Sequence, residues 1–232
     1  MQHLITILFL AISTLSFGQT IETGRLWRTK GVYYPSGKFL EWDKVQYYLY
    51  STKPNQFHSL RIEHLWEQEG NIRYDGGVVT YRDTLDLTPL EGKIYKLDKK
   101  RTMTIHSEDS LTINYKDEYV YSYVKFKDSV PSLTTEKLKN ELIEKQFVES
   151  IEDTAKYRMI YQDRGFVKKT TLKGEHKSNY SYKIIDFNGF IFLQEWGKYI
   201  AKLITEIKKE EIVFIEIDYR FENKKGKLLK IN

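Results

Sequence analysis

Between Gly24 and Lys127 the chain is a succession of short runs in which apolar and polar positions alternate, each closed by turn-forming residues. RLWRTKGVYY leads into Pro35-Ser36-Gly37, where proline presets φ and glycine accepts a positive φ. KVQYYLY, FHSLRIEHLW, VVTYRDTLDL, KIYKL, RTMTIH, SLTINY and EYVYSYVKF follow, with breaks at KPNQ, Glu69-Gly70-Asn71 and Ser107-Glu108-Asp109. Asp75-Gly76-Gly77 is a further turn signal. A period of two with a turn about every ten residues predicts an antiparallel meander, rolled into a barrel or stacked as a sandwich.

The period changes once. After Val130-Pro131, which reads as extended, Thr134 or Thr135 can cap a helix, and Leu138, Leu142, Ile143 and Phe147 recur on one helical face. A short amphipathic helix is predicted within Leu133–Lys145. Strands resume at AKYRMIYQ and GFVKKTTLK, followed by the loop GEHKSN. YSYKIIDF and FIFLQEW flank Asn188-Gly189, the preferred two-residue type I′ connection, because both of its positions need φ > 0. YIAKLITEI and EIVFIEIDYRF predict another hairpin, and KLLKI a final edge strand or a frayed end. The fold class is therefore mainly β: an antiparallel meander forming barrel-like or sandwich lobes, with one short helix in the middle of the chain. The expected divisions are a signal peptide over 1–18, a first β lobe over 24–127, a linker with the helix over 128–145 and a second β lobe over 146–232.

Parity assigns faces within the strands. Val213, Ile215, Ile217, Tyr219 and Phe221 share one side of the last long strand, which is read as its core face. In EYVYSYVKF, Tyr119, Tyr121 and Tyr123 share a side with Asp117, Lys125 and Lys127, while Val120, Val124 and Phe126 share the other. Charges at both ends of the tyrosine side predict that it points outward. These three tyrosines are the candidate partner surface.

The first residues follow a different rule. Leu4 to Ile12 is a short apolar core, followed by a polar stretch with Ser16 and Gly18 at the −3 and −1 positions of a cut before Gln19. That layout predicts a secretory signal peptide and an exported protein, periplasmic or extracellular. No other run approaches the length needed for a transmembrane helix. The absence of cysteine removes thiolate nucleophiles and zinc–thiolate sites. The net charge of +5 is spread among mixed lysines and glutamates, which reads as a solvated surface rather than a nucleic-acid face. The basic clusters, Lys96 to Arg101 and the tail, fall near turns. Contact with anionic envelope lipid or polysaccharide is compatible with them but unspecific.

Candidate chemistry is sparse. His58 and His64 share a strand face with Leu60, Ile62 and Trp66 but stand about 20 Å apart, too far to grip one ion without a partner element. His64 reads as a buried, hydrogen-bonded histidine. Ile62, His64 and Trp66 together are the candidate ligand-binding residues. The acid pairs Glu63/Glu67, Asp83/Asp86 and Glu206/Glu210 sit among cations and read as cross-strand charge pairs. No nucleophile elbow, phosphate loop or calcium loop occurs, so no catalytic residue, metal ligand or cofactor is assigned.

GRLWRTKGVYY after a signal peptide, YSYKIIDFNGFIFL, and YIAKLITEIKKEEIVFIEID together resemble the exported lipocalin-like (calycin-type) β-barrel proteins of Gram-negative bacteria. The opening departs from that pattern, with Gly24 and Trp27 separated by two residues rather than one. The resemblance implies an antiparallel barrel able to hold a hydrophobic small molecule and transfers no catalytic residue. The functional expectation is a non-catalytic exported protein binding a small apolar or amphipathic ligand in a β-barrel. The alternative is an envelope interaction protein using aromatic sheet faces to bind a protein or glycan partner. An enzyme, such as a glycan hydrolase, is a third reading that lacks a motif.

Overall fold

A computed structural model describes residues 21–40, 46–69, 72–116, 118–126, 133–174, 177–195, 201–217 and 223–231, with the backbone alone for residues 46, 63–69, 72–78 and 217. The expected signal peptide, together with Trp42, Asp117, Lys127, His176, Trp196, Tyr219 and Phe221, lies outside these. The chain is mainly β, as its alternation predicts, and builds two antiparallel sheets in succession.

The first sheet contains β1 (Leu26–Tyr33), β2 (Gln46–Lys53), β3 (Gln56–Glu69), β4 (Ile72–Asp86), β5 (Thr88–Glu91), β6 (Ile94–Lys96), β7 (Arg101–Ser107), β8 (Ser110–Tyr115) and β9 (Tyr119–Lys125). Its order is β4-β3-β2-β1-β9-β8-β7-β6-β5, so the first and last strands in sequence meet at its centre. The sheet curls into a half-barrel. Trp27, Leu49, Phe57, Leu85, Met103, Leu111, Ile113 and Tyr123 fill the curl. Asp75-Gly76-Gly77 proves not to be a turn. The segment lies inside β4, where Trp66 pairs with Asp75 and Leu65 with Gly77, so the extra residue is absorbed as a β-bulge. The chain reverses instead after Glu69, which pairs with Ile72.

Helix α1 (Thr135–Leu142) follows, capped by the Thr134 side chain, which accepts a hydrogen bond from the Lys137 backbone N–H. It is shorter than the predicted stretch. Ile143 is already extended, and Phe147 belongs to the next strand.

The second sheet is a closed barrel in strict sequence order. Its strands are β10 (Gln146–Ile151), β11 (Thr154–Gln162), β12 (Phe166–Thr171), β13 (Lys177–Phe187), β14 (Phe190–Glu195), β15 (Ala201–Ile207), β16 (Glu211–Ile217) and β17 (Asn223–Lys230). The β13–β14 hairpin turns through Asn188 at φ 53° and Gly189 at φ 85°, as a type I′ connection requires. The tail does not fray or form an edge: β17 pairs with β16 on one side and β10 on the other and closes the barrel.

Strands β14, β15 and β16 bury residues on both faces, so the expected core face of β16, which holds Ile215, is only one of two. Ile212 and Phe214 point into the lumen, with Phe147, Met159, Tyr161, Val167, Leu193 and Leu228. Leu138 and Leu142 of α1 pack against the same cluster, so the helix adds its apolar face to the lumen core. Ile215, on the opposite face, packs outward against the curled sheet. There Ile185, Phe187, Phe192, Ala201, Leu203 and Ile215 meet Leu26, Tyr48, Leu60, Ile62 and Phe126. The Tyr48 and Phe192 rings lie 4.5 Å apart. At the edge of this contact His58 Nδ1 is 3.0 Å from Asn188 Oδ1, and Arg82 donates to the Asp186 carbonyl.

Candidate functional site

Pleating sends alternate residues of a barrel strand inward, and most inward positions here are apolar. Five are not. Glu149 of β10, Tyr161 of β11, Lys169 of β12, Glu195 of β14 and Lys202 of β15 all lie on the lumen side by register. Lys202 is fully buried, with its ammonium 2.7 Å from Glu149 Oε1 and donating to Glu195 Oε1. Tyr161 donates to the same Glu195 oxygen at 2.5 Å. Lys169 approaches Glu149 Oε2 at 3.6 Å and lies over the Tyr157 ring, 3.9 Å from its centroid. Glu216, also buried, is in register with Lys202 and Lys224 on the same inward face. Burial first, then the neighbouring Glu195 and Glu149 charges, holds the Tyr161 phenol well above its ordinary range, so it stays a neutral donor.

Within this core, the two carboxylates of Glu149 and Glu195 face the two ammoniums of Lys169 and Lys202. Matched charge at this depth satisfies itself and ties β10, β11, β12, β14 and β15 together across the lumen. Sequence reasoning passed over these residues, because a charged residue in a strand normally marks its solvent face. The available signal was Lys202, which stands alone within Tyr199-Ile200-Ala201 and Leu203-Ile204.

The predicted ligand-binding residues do not lie in the lumen. Ile62 is buried between the curled sheet and the barrel's outer wall, 2% exposed. His64 and Trp66 continue β3 opposite Val78 and Asp75, and their side chains lie outside the described residues. Trp27, which with Gly24 just before β1 carries part of the calycin resemblance, belongs to the curled sheet, whereas the Asn188-Gly189 hairpin and the closing strands belong to the barrel. Among the described residues, no three histidines or carboxylates are grouped to hold a metal ion.

The tyrosine row is placed differently from its parity reading. Tyr123 is 3% exposed, inside the curl, and Tyr121 packs against the same cluster. Lys125 misled that reading: it reaches Asp109 at 3.0 Å and Glu22 at 3.4 Å, so its charge is satisfied at the rim and does not mark an outer face. Tyr121 and Tyr119 are each half-buried. Tyr121 stacks edge-on against Tyr47 at 4.9 Å, and Tyr119, at the outer end, lies 5.9 Å from Tyr34, itself 39% exposed. The row thus climbs from the core to an aromatic rim. The chain matches no model of a known protein family and no curated protein.

Proposed function

We propose that this is an exported, non-catalytic interaction protein that holds a protein or glycan partner against the tyrosine rim of its curled sheet. The observation carrying this reading is the row from buried Tyr123 to half-buried Tyr119, whose ring lies tilted 5.9 Å from that of the 39% exposed Tyr34. Tyrosines anchored in a core present rigid, amphipathic area at little entropic cost, which suits peptide and sugar surfaces. The competing reading, an apolar ligand inside the barrel, has less support. Phe147, Met159, Tyr161, Phe214 and Leu228 are each 0% exposed in the lumen, and Leu138 and Leu142 pack on them. The barrel then serves as a rigid buttress for the sheet beside it. Export rests on the apolar run Leu4 to Ile12 and its small-residue cut site.

The test uses the protein expressed in its own cells with a photoreactive phenylalanine analogue in place of Tyr119, and, separately, pelleting of the purified protein on insoluble cell-wall glycan. A discrete adduct, or pelleting weakened about tenfold or more by Tyr34→Ala with Tyr119→Ala, is the expected result. Absence of both, with the double variant folding normally, overturns the proposal. Intact mass of the mature protein is expected to start at Gln19.

A further inference from the structure

The β5–β6 hairpin forms the outer edge of the curled sheet and carries two exposed aliphatic side chains, Leu90 at 56% and Ile94 at 39%. Register fixes which face they serve. Ile94 pairs with Thr104, Lys96 with Thr102, and Thr102 with Asn114, so these lie on the convex face; Tyr95, Met103 and Ile113 lie opposite, towards the core of the curl. Leu90 stands at the bulge in β5 and lines a shallow pocket on this face with Lys96, Lys99, Lys100, Arg101, Thr102, Asn114 and Lys116.

The pocket is strongly basic. Its one carboxylate, Asp98, is consumed locally: it accepts from the backbone N–H of Lys100 at 2.7 Å and of Arg101 at 2.8 Å, and from Arg101 Nε at 2.6 Å. Arg101 also reaches Asp83 at 3.2 Å. Among the described residues, Lys96, Lys99, Lys100 and Lys116 make no ion pair. Glu91 is the only acidic residue between Thr88 and Lys96. Four uncompensated ammoniums beside two exposed aliphatic groups match a surface that is anionic at one depth and apolar just beneath. An isolated phosphate would leave Leu90 and Ile94 without a role.

We propose that this hairpin and its lysine-lined pocket dock the protein peripherally on an anionic phospholipid surface, the lysines meeting headgroup phosphates while Leu90 and Ile94 enter the interfacial layer. The inference is independent of the tyrosine rim. Each lysine near an anionic leaflet strengthens adsorption roughly fivefold, and the effect is screened by salt.

Co-sedimentation with phosphatidylcholine vesicles, with and without phosphatidylglycerol, tests it on the mature protein. Binding is expected only with phosphatidylglycerol, falling by roughly 25-fold in Lys96→Gln with Lys99→Gln. Leu90→Asn with Ile94→Asn is expected to weaken it separately, and to do so at high salt as well. All four side chains are exposed, so unchanged melting of the variants confirms that folding is intact. Three results overturn the proposal: no binding to anionic vesicles, equal binding to neutral ones, or binding indifferent to Leu90 and Ile94 and abolished by inorganic pyrophosphate. The last identifies a soluble phosphate site.

Discussion

Replacing Lys202 by methionine keeps most of the aliphatic stem but removes the ammonium that Glu149 and Glu195 share. At 2.7 Å and an effective dielectric of about 20, the attraction between Lys202 and Glu149 alone is about 6 kcal/mol. Much of that is offset by the cost of dehydrating both groups, so the pair's net contribution to stability is far smaller. The variant loses the attraction and leaves two carboxylates, 0% and 2% exposed, facing the single ammonium of Lys169, and breaking a buried pair in this way costs about 3–5 kcal/mol. Lys202→Met is therefore expected to lose about 3–5 kcal/mol in urea unfolding at neutral pH. The deficit has a sign in pH. Protonating a stranded carboxylate relieves it, so the loss shrinks as pH falls towards the acid range and grows as pH rises. Combining Lys202→Met with Glu195→Gln leaves Glu149 facing Lys169 and is expected to recover part of the loss. A single-variant loss below about 1 kcal/mol, the scale of an exposed pair, refutes the reasoning. So does a deficit that is flat in pH.

Phe192→Ala, which empties the contact with Tyr48 between barrel and curled sheet, is expected to cost about 3–5 kcal/mol and to separate a previously single unfolding transition into two, read by parallel fluorescence and circular dichroism. Gly226→Ala puts a Cβ against the Phe214 ring and 3.0 Å from the Ser150 carbonyl oxygen, so a loss of about 1–3 kcal/mol is expected from thermal melts. Lys230 and then Lys145 hold the Glu141 carboxyl below its usual 4.5, which contributes stability above that pH and loses it as pH falls through the lowered value. Glu141→Gln should therefore destabilise at pH 7 but not in strong acid, as measured by amide exchange of α1. Thr134→Ala removes the helix cap and should cost about 1 kcal/mol by urea titration.

What could be read from the sequence was local. The Asn188-Gly189 turn and the Thr134 cap are fixed by backbone sterics and one hydrogen bond, and both occur where their residues predict. Faces were harder, because parity groups residues without saying what covers each side. In β16 the same alternation serves a lumen for Phe214 and an intersheet contact for Ile215. Lys125 and Lys202 show the difficulty from opposite directions: one charge ends a mostly buried face, and the other lies within the core. The candidate lumen network was hidden because its partners come from strands distant in sequence. The tyrosine rim was visible as a row, but its gradient from core to rim depends on the curl of the sheet.

Barrel closure has a consequence for how the chain acquires its structure. The strand that completes the cylinder, Asn223–Lys230, must find both Glu211–Ile217 and Gln146–Ile151, the latter far back in the sequence. Until it arrives, β10 and β16 are open edges, and the lumen's charges lack a sealed interior. Such a long-range pairing is slow to form. The second half therefore remains unsealed until β17 has paired with both of its neighbours. Loss of the last strand would leave two sticky edges rather than a slightly shorter protein.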